Sequence, residues 1–382
     1  MNIAWFRPTI PDASDPLDDT AALIDELRSR HAIDVIVEAG AHDFVWRHFQ
    51  KPWDLCVYEL DNTSAHQFEW AYLLNYAGVV MLKSPVAHNS WGATLSREGR
   101  LDEYMAGFRV EDTKAPPEVR VPLFTSRCVV VPHAALARSL QEEYPEAHVR
   151  YAPACSGSQG SAPHKSKGDD RLPQQSGADL PGPRSTKFGL LDRSRRDVVE
   201  RAFQRARDAG ANIDLLKNDT AARILAECDA VVALTWPPFE TPLTPALAGM
   251  AAGKPVVAME IEATAHWPAL DPQTWRPRGL CATAAPIAVT IEPRDEEHSL
   301  MLAMRRLATD APLREQLGHA AQTWWQAHAT PAHAAAAWSP ILQEAESLAP
   351  PLRPSDWPKH LGADGTELAR AILNEFGLTS DI

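Results

Sequence analysis

The stretch DAVVALTWPPFETPLTPALAGMAAGKPVVAM, residues 229–259, holds two unbroken apolar runs, 230–234 and 255–259. Short continuous runs of this kind suit parallel strands covered on both faces. Between them lies an Ala/Leu/Met-rich segment with start signals for a helix. Thr241 is expected at the N-cap, Pro242 at the first helical position, and Thr244 beside the free first-turn amides. Gly253 fits a C-terminal stop. Strand, loop, helix and strand make one unit of a parallel α/β sheet. The amides of Thr241, Leu243 and Thr244 then stand at its carboxyl edge, where a helix N-terminus attracts anions. Glu240 precedes the expected cap. Beside a bound diphosphate its carboxylate is useful if it accepts hydroxyls of an attached group; otherwise it caps its own helix.

The same alternation extends in both directions. The segments 2–6, 33–37, 54–60, 78–82, 127–131 and 148–151 read as strands, separated by helical patterns at 18–30, after Asn62, and at 134–144. From 155 to 187 Ser, Gly, Pro, Gln and charged residues dominate, and no apolar period survives, as in a disordered linker. Folded sequence resumes with the run at 188–191 and a helix over 195–209 that sets Val198, Val199, Ala202, Phe203 and Ala206 on one face. A strand at 213–216 and a helix at 221–227 lead back to the opening stretch, and the rest is helical. The reading is of an N-terminal domain (1–154), a linker (155–187), a C-terminal domain (188–348) and a tail (349–382) ending in an amphipathic helix at 367–378.

Composition excludes several classes. A formal charge of −13 argues against nonspecific nucleic-acid binding, which rests on Lys/Arg contacts to phosphates. No apolar run approaches the length of a membrane span. The five cysteines are scattered without metal-site spacing, so neither a disulfide framework nor a zinc site is expected, and a reducing cytoplasm fits best. Cys56, Cys128 and Cys228 lie in or beside apolar runs and read as small core residues.

The segment FETPLTPALAGMAAGKPVV resembles the donor-site segment of bacterial family 4 glycosyltransferases of the GT-B fold. That family carries a glutamate, seven intervening residues, a second glutamate and an Ala-Met-Ala-x-Gly-x-Pro-Val-Val run. Glu240 matches the first glutamate, while the second, associated with the nucleotide ribose, falls on Ala248. FGLLDRSRRDVVERA is similar to the family's Phe-Gly segment, whose first basic residue reaches the donor diphosphate; in that register Arg195 is the candidate and Arg196 the next. Tyr58, Leu60, Asn62 and His66 follow a Tyr-x-Leu-x-Asn-x-x-x-His pattern that sets Asn62 and His66 near the interdomain cleft; the plainer reading has Asn62 capping the helix and His66 packing. Pro132-His133 stands where the family often has a strand-ending histidine.

Departures accompany the matches. The opening loop has Ser14-Asp15-Pro16 where the family continues with glycines, which hinders close backbone approach by a phosphate or sugar. Where the family commonly ends a strand with Leu-His-Asp, this chain has Leu82-Lys83-Ser84, with His88 matching a later histidine. Lysine does not alternate between neutral and charged forms near pH 7 as histidine does, yet it can hold a phosphate or an acidic acceptor.

The resemblance implies two doubly wound Rossmann-like domains facing a cleft, with a C-terminal helix crossing back to the first. It implies retaining transfer of a sugar from a UDP-, GDP- or ADP-sugar to a glycan, lipid-linked or small-molecule acceptor, without metal or other cofactor. Glu240, Lys83 and His88 are the candidate catalytic residues. Arg195, Glu240, Thr241, Leu243 and Thr244 would bind the donor, and Asn62 and His66 would line the acceptor side. A cytoplasmic protein is expected, at or near the inner face of a membrane. The departures keep a second function open: an inactive relative that binds a partner or regulates an enzyme.

Overall fold

The computed structural model describes residues 1–9, 15–97, 99, 117–157, 184–192, 194–240, 242–278, 284–355, 357, 373 and 375. The chain forms two units that are not contiguous in sequence. One comprises Met1–Thr9, Arg30–Tyr151 and Ser339–Ile382, the other Ile10–Ser29 and Ala152–Trp338. The first helix, α1 (Asp19–Leu27), therefore belongs to the second unit.

In the first unit six strands pair in parallel: β1 (Asn2–Phe6), β2 (Ala32–Ile36), β3 (Leu55–Leu60), β4 (Val79–Leu82), β5 (Cys128–Val131) and β6 (Val149–Tyr151). Their order is β2-β1-β3-β4-β5-β6. The interior strands β3 and β5 are buried along their whole length, whereas β2, at the edge, is mostly exposed. That difference explains why the interior strands read as unbroken apolar runs. Helices α2 (Phe44–Gln50), α3 (Gln67–Asn75), α4 (His88–Arg97), α5 (Pro117–Thr125) and α6 (Ala134–Glu143) connect the strands. Phe6 stacks on Tyr58 at 4.8 Å and meets Phe44 edge-on at 4.9 Å, joining β1, β3 and α2. Fully burying side chains of this size contributes about 1.5–3 kcal/mol each.

The second sheet contains β7 (Thr186–Leu190), β8 (Ile213–Leu216), β9 (Ala230–Ala233), β10 (Val256–Met259), β11 (Ala269–Leu270), β12 (Pro277–Arg278) and β13 (Ala288–Ile291). Its order is β12-β11-β13-β10-β9-β7-β8, and only the short β11–β12 pair is antiparallel. Helices α7 (Arg196–Asp208), α8 (Ala221–Glu227), α9 (Thr244–Ala251), α10 (Glu296–Thr309), α11 (Ala311–His328) and α12 (Pro331–Ser347) connect and follow its strands. Helix α7 buries the face read from sequence, with Val198, Val199, Ala202 and Ala206 inward. At Gly249 α9 packs closely on the sheet: a Cβ there would lie 3.0–3.1 Å from Val256 and Val231, tighter than ordinary contact. Gly253, at φ 66°, ends the helix as expected.

Two doubly wound α/β sheets thus match the expected class, and several details differ. Helix α9 starts at Thr244, with Leu243 as its N-cap and no side-chain cap. The start assigned to Thr241 and Pro242 is therefore two residues early, and Thr241 lies outside the described residues. Thr-Pro occurs twice here, and burial of Leu243 and Thr244 selects the second pair. The linker's centre, 158–183, also lies outside the described residues, but its ends are folded: Cys155 and Ser156 are buried, and Thr186 and Lys187 belong to β7. Nearly all of the expected tail helix at 367–378 is outside them too. Within the first unit, the second half of α12 is held by Arg150, whose Nε lies 3.0 Å from Glu344, and by Arg30, which donates to the Ser339 hydroxyl at 3.2 Å. Cys56, Cys128, Cys155 and Cys228 are all buried free thiols.

Candidate functional site

Each sheet has one place where successive connections leave in opposite directions. In open α/β sheets ligands bind beyond the carboxyl ends of the strands at that place. In the first unit it lies between β1 and β3, and in the second between β7 and β9.

At the first switch point three charged side chains meet. Arg7 follows β1, Glu59 lies near the end of β3, and Lys83 follows β4. Lys83 Nζ is 2.6 Å from Glu59 Oε1, and Arg7 Nε is 3.3 Å from Oε2. Glu59 is 2% exposed. Burial pushes its carboxyl pKa up, but Lys83 and then Arg7 outweigh burial and hold it below the usual carboxylate range. Immediately behind, His66 Nδ1 lies 2.6 Å from the Glu59 carbonyl oxygen and 3.2 Å from Glu69 Oε1. Glu69 is wholly buried, and burial raises its carboxyl to about 8 against the opposing pull of His66. Burial lowers the His66 pKa, but the Glu69 carboxyl outweighs it and holds the imidazole above its ordinary value.

Lys83, Asn62 and His66 lie at this one edge of the sheet. His66 is buried and precedes α3. Asn62 does not cap that helix; its Oδ1 accepts the Asn89 amide at 2.7 Å and ties the loop after β3 to the start of α4. His88 is the first residue of α4. His133 precedes α6 and is buried, which lowers its pKa to about 4 and leaves it neutral at pH 7. Arg7, Glu59 and Glu69 escaped the sequence reading. For Arg7 and Glu59 the available signal was a charged residue directly after or inside an apolar strand run; Glu69, in α3, gave none.

At the second switch point the loops after β7 and β9 are joined where Ser194 Oγ donates to the Leu234 carbonyl at 2.9 Å. Arg195 is the N-cap residue of α7 and forms a bidentate pair with Glu296 in the first turn of α10. Arg196 pairs instead with Glu200, Nε to Oε1 at 2.8 Å, and Lys217 reaches the same Oε1 at 2.6 Å. A cavity of about 270 Å³ opens here, lined among others by Leu190, Asp192, Arg196, Lys217, Asp219 and Asp15. Glu240 is exposed on the loop after β9, directly beyond Phe239, whose φ of 69° is in the left-handed region. Such a non-glycine residue is sparsely populated and characteristic of functional loops.

The start of α9 differs most from expectation. Leu243 and Thr244 are buried, and the Thr244 hydroxyl lies 3.5 Å from Asp19 Oδ2 on α1. A carboxylate of the protein itself thus stands beside the helix start that was expected to hold an anion. Ala248 is 2% exposed and packs among Leu247, Val231, Val256 and Trp325 in an apolar cluster. Its methyl group belongs to the core. Among the described residues no group of three or more His, Cys, Asp or Glu side chains is placed to hold a metal ion.

No family model matches the chain, and no curated protein matches it. Solved structures match in fold. The crystal structure of WaaG, a glycosyltransferase involved in lipopolysaccharide biosynthesis, shares 12% identity over 89% of this chain and 99% of its own, with a TM-score of 0.50. A glycosyltransferase from Rickettsia africae shares 13% over 91% of this chain and 99% of its own, with a TM-score of 0.51. The common element is the doubly wound two-unit architecture, the GT-B plan expected from the sequence.

Proposed function

We propose that this protein is a glycosyltransferase that moves a sugar from a nucleotide diphosphate sugar to an acceptor hydroxyl, with retention and without a metal. The observation that carries this reading is the second switch point. Arg195 and Glu240 leave the two strands that flank it, β7 and β9, and a cavity lies beside Arg196 on the same edge. The diphosphate is taken by Arg195, and Glu240 accepts hydroxyls of the sugar. In transfer the acceptor oxygen bonds to the anomeric carbon as the sugar–phosphate bond breaks. The departing diphosphate keeps the bonding electron pair and takes the acceptor proton, so no protein nucleophile is used. Fixed cations stabilise the charge that develops on the leaving group. The known glycosyltransferases of this fold support the same reading.

The buried Ala248 and the engaged Arg195 favour one alternative, a relative that binds nucleotide without turnover. Release of nucleoside diphosphate from UDP-, GDP- or ADP-sugars in the presence of glycan and lipid-linked acceptors separates the two. Release above the rate of spontaneous hydrolysis supports the enzyme. Binding of a nucleoside diphosphate with no release from any donor supports the alternative.

A further inference from the structure

Helix α2 is apolar on two sides. Its inward side carries Phe44, which stacks on Trp53 at 5.1 Å and meets Tyr72 and Tyr76 edge-on. Its outward side carries Val45, Trp46 and Phe49, which are 48%, 63% and 79% exposed. The Trp46 and Phe49 rings stack on each other at 6.1 Å. Edge strand β2, tied to α2 where Arg47 donates to Asp34 at 2.9 Å, adds the exposed Val35. Most of the exposed large apolar side chains among the described residues are thus gathered at one place. Single apolar side chains on a surface need no explanation, but a group with its own ring stacking marks an interaction site.

Charge and size select the partner. The stretch FVWRHFQKPW, residues 44–53, holds Arg47, His48 and Lys51 and no acid, in a chain of formal charge −13. The acids around it are engaged: Asp34 by Arg47 and the Trp53 indole, Glu38 by Arg97, Asp43 by His42, and Asp54 by the Asn2 amide. Lys51 is exposed and makes no ion pair among the described residues. With Arg47 and Gln50 it lines a cavity of about 380 Å³. Asn2 and Ala32, the first residues of β1 and β2, border the same cavity, which therefore lies at the amino edge of the sheet. A protein interface of ordinary size buries about 800 Å² on each partner, more than the outward side of a two-turn helix supplies. A lipid surface asks for less: aromatic rings that enter the headgroup boundary and cations that meet its phosphates. No helix among the described residues is long and apolar enough to cross a membrane, so such a contact is peripheral.

We propose that α2 docks this protein on a membrane surface carrying anionic lipid. Trp46 and Phe49 enter the headgroup region, and Lys51 meets lipid phosphate at the mouth of the cavity. Docking by the amino edge leaves the carboxyl edge of the sheet open. The surface does not depend on the glycosyl transfer proposed above.

Co-sedimentation of the full chain with vesicles of phosphatidylcholine, and of phosphatidylcholine and phosphatidylglycerol in equal parts, tests the proposal. The mixed vesicles should bind the chain more tightly. Joint Trp46→Ser and Phe49→Ser should weaken that binding about tenfold or more, because the burial of two large apolar side chains is lost. Lys51→Glu should remove most of the difference between the two kinds of vesicle. All three positions are exposed, so the variants should unfold at the urea midpoint of the unaltered chain. Absence of binding to the mixed vesicles, or binding that the double serine variant retains, overturns the proposal. So does a dimer, seen by sedimentation velocity without lipid, that the double serine variant dissolves, since a second copy would then cover α2.

Discussion

Glu59 and Lys83 lie 24 residues apart in sequence and 2.6 Å apart in the fold, Glu59 in β3 and Lys83 directly after its parallel neighbour β4, at the edge where the carboxyl ends emerge. With Arg7 they form an ion triad in which the acid is almost wholly buried. Glu59→Gln leaves two cations facing each other without their carboxylate. Breaking a buried pair in this way costs about 3–5 kcal/mol. Chemical denaturation should show a loss of that order, whereas joint replacement of Arg7, Glu59 and Lys83 by Met, Leu and Met should cost much less. A near-neutral Glu59→Gln would mean that the triad is solvated.

The neighbouring His66–Glu69 pair predicts a pH dependence. In the unfolded chain Glu69 ionises near the ordinary glutamate value, and His66 loses its proton near 6.5. In the fold, burial raises Glu69 to about 8, and Glu69 holds His66 above its ordinary value, so the folded chain keeps protons that the unfolded chain has lost. Stability should therefore fall as pH rises from the ordinary glutamate value through about 8, by about 1.4 kcal/mol per pH unit for each proton the folded chain holds in excess. Glu59 acts in the other direction: its pKa is depressed, so its contribution is present above the unfolded value and is lost as pH falls through the folded one. Urea midpoints across pH 5–9 measure both trends. Glu69→Gln should flatten the upper one, and an unchanged slope in that variant would remove the pair as its cause.

The interior strands were legible because burial on both faces leaves a local mark, an apolar run that needs no partner to be recognised. The loops that carry Arg195 and Glu240 were legible because apolar strand runs precede both. The ion triad was not, because its members become neighbours only once the order β1-β3-β4 is known, and strand order is not written locally. The start of α9 failed for a different reason. Thr241-Pro242 and Thr244-Pro245 carry equal local signals, and the choice between them is made by packing of Leu243 and Thr244. Strand β13 was passed over inside a proline-rich stretch, although all four of its residues are buried.

Ala248 offers a test of packing against binding. Restoring a glutamate there does not restore a ribose contact, because the side chain would enter the apolar cluster around Val231 and Val256. An unpaired charge forced into such a place destabilises by an amount at the top of the usual range, about 4 kcal/mol or more. Ala248→Glu should unfold at markedly lower denaturant and bind no nucleoside diphosphate more tightly. A stable variant with tighter binding would show that position 248 faces the ligand.

Glu296 engages Arg195 and so competes with any diphosphate for it. Glu296→Gln should tighten nucleoside diphosphate binding by about fivefold, reflecting the ~1 kcal/mol that a partly exposed ion pair is worth. Fluorescence or calorimetric titration reads the change. Weaker binding in this variant would mean that Glu296 positions Arg195 for the ligand instead of withholding it.

The most direct measurement is titration of the full chain with UDP, GDP and ADP, together with Arg195→Ala and Arg196→Ala. One of the three should bind at one site per chain. Arg195→Ala should weaken that binding by about 1.5–3 kcal/mol, the range for a hydrogen bond to a charged group, and Arg196→Ala by much less. Absence of binding by all three, or binding that both variants leave intact, would contradict a nucleotide-sugar site at the β7–β9 switch point.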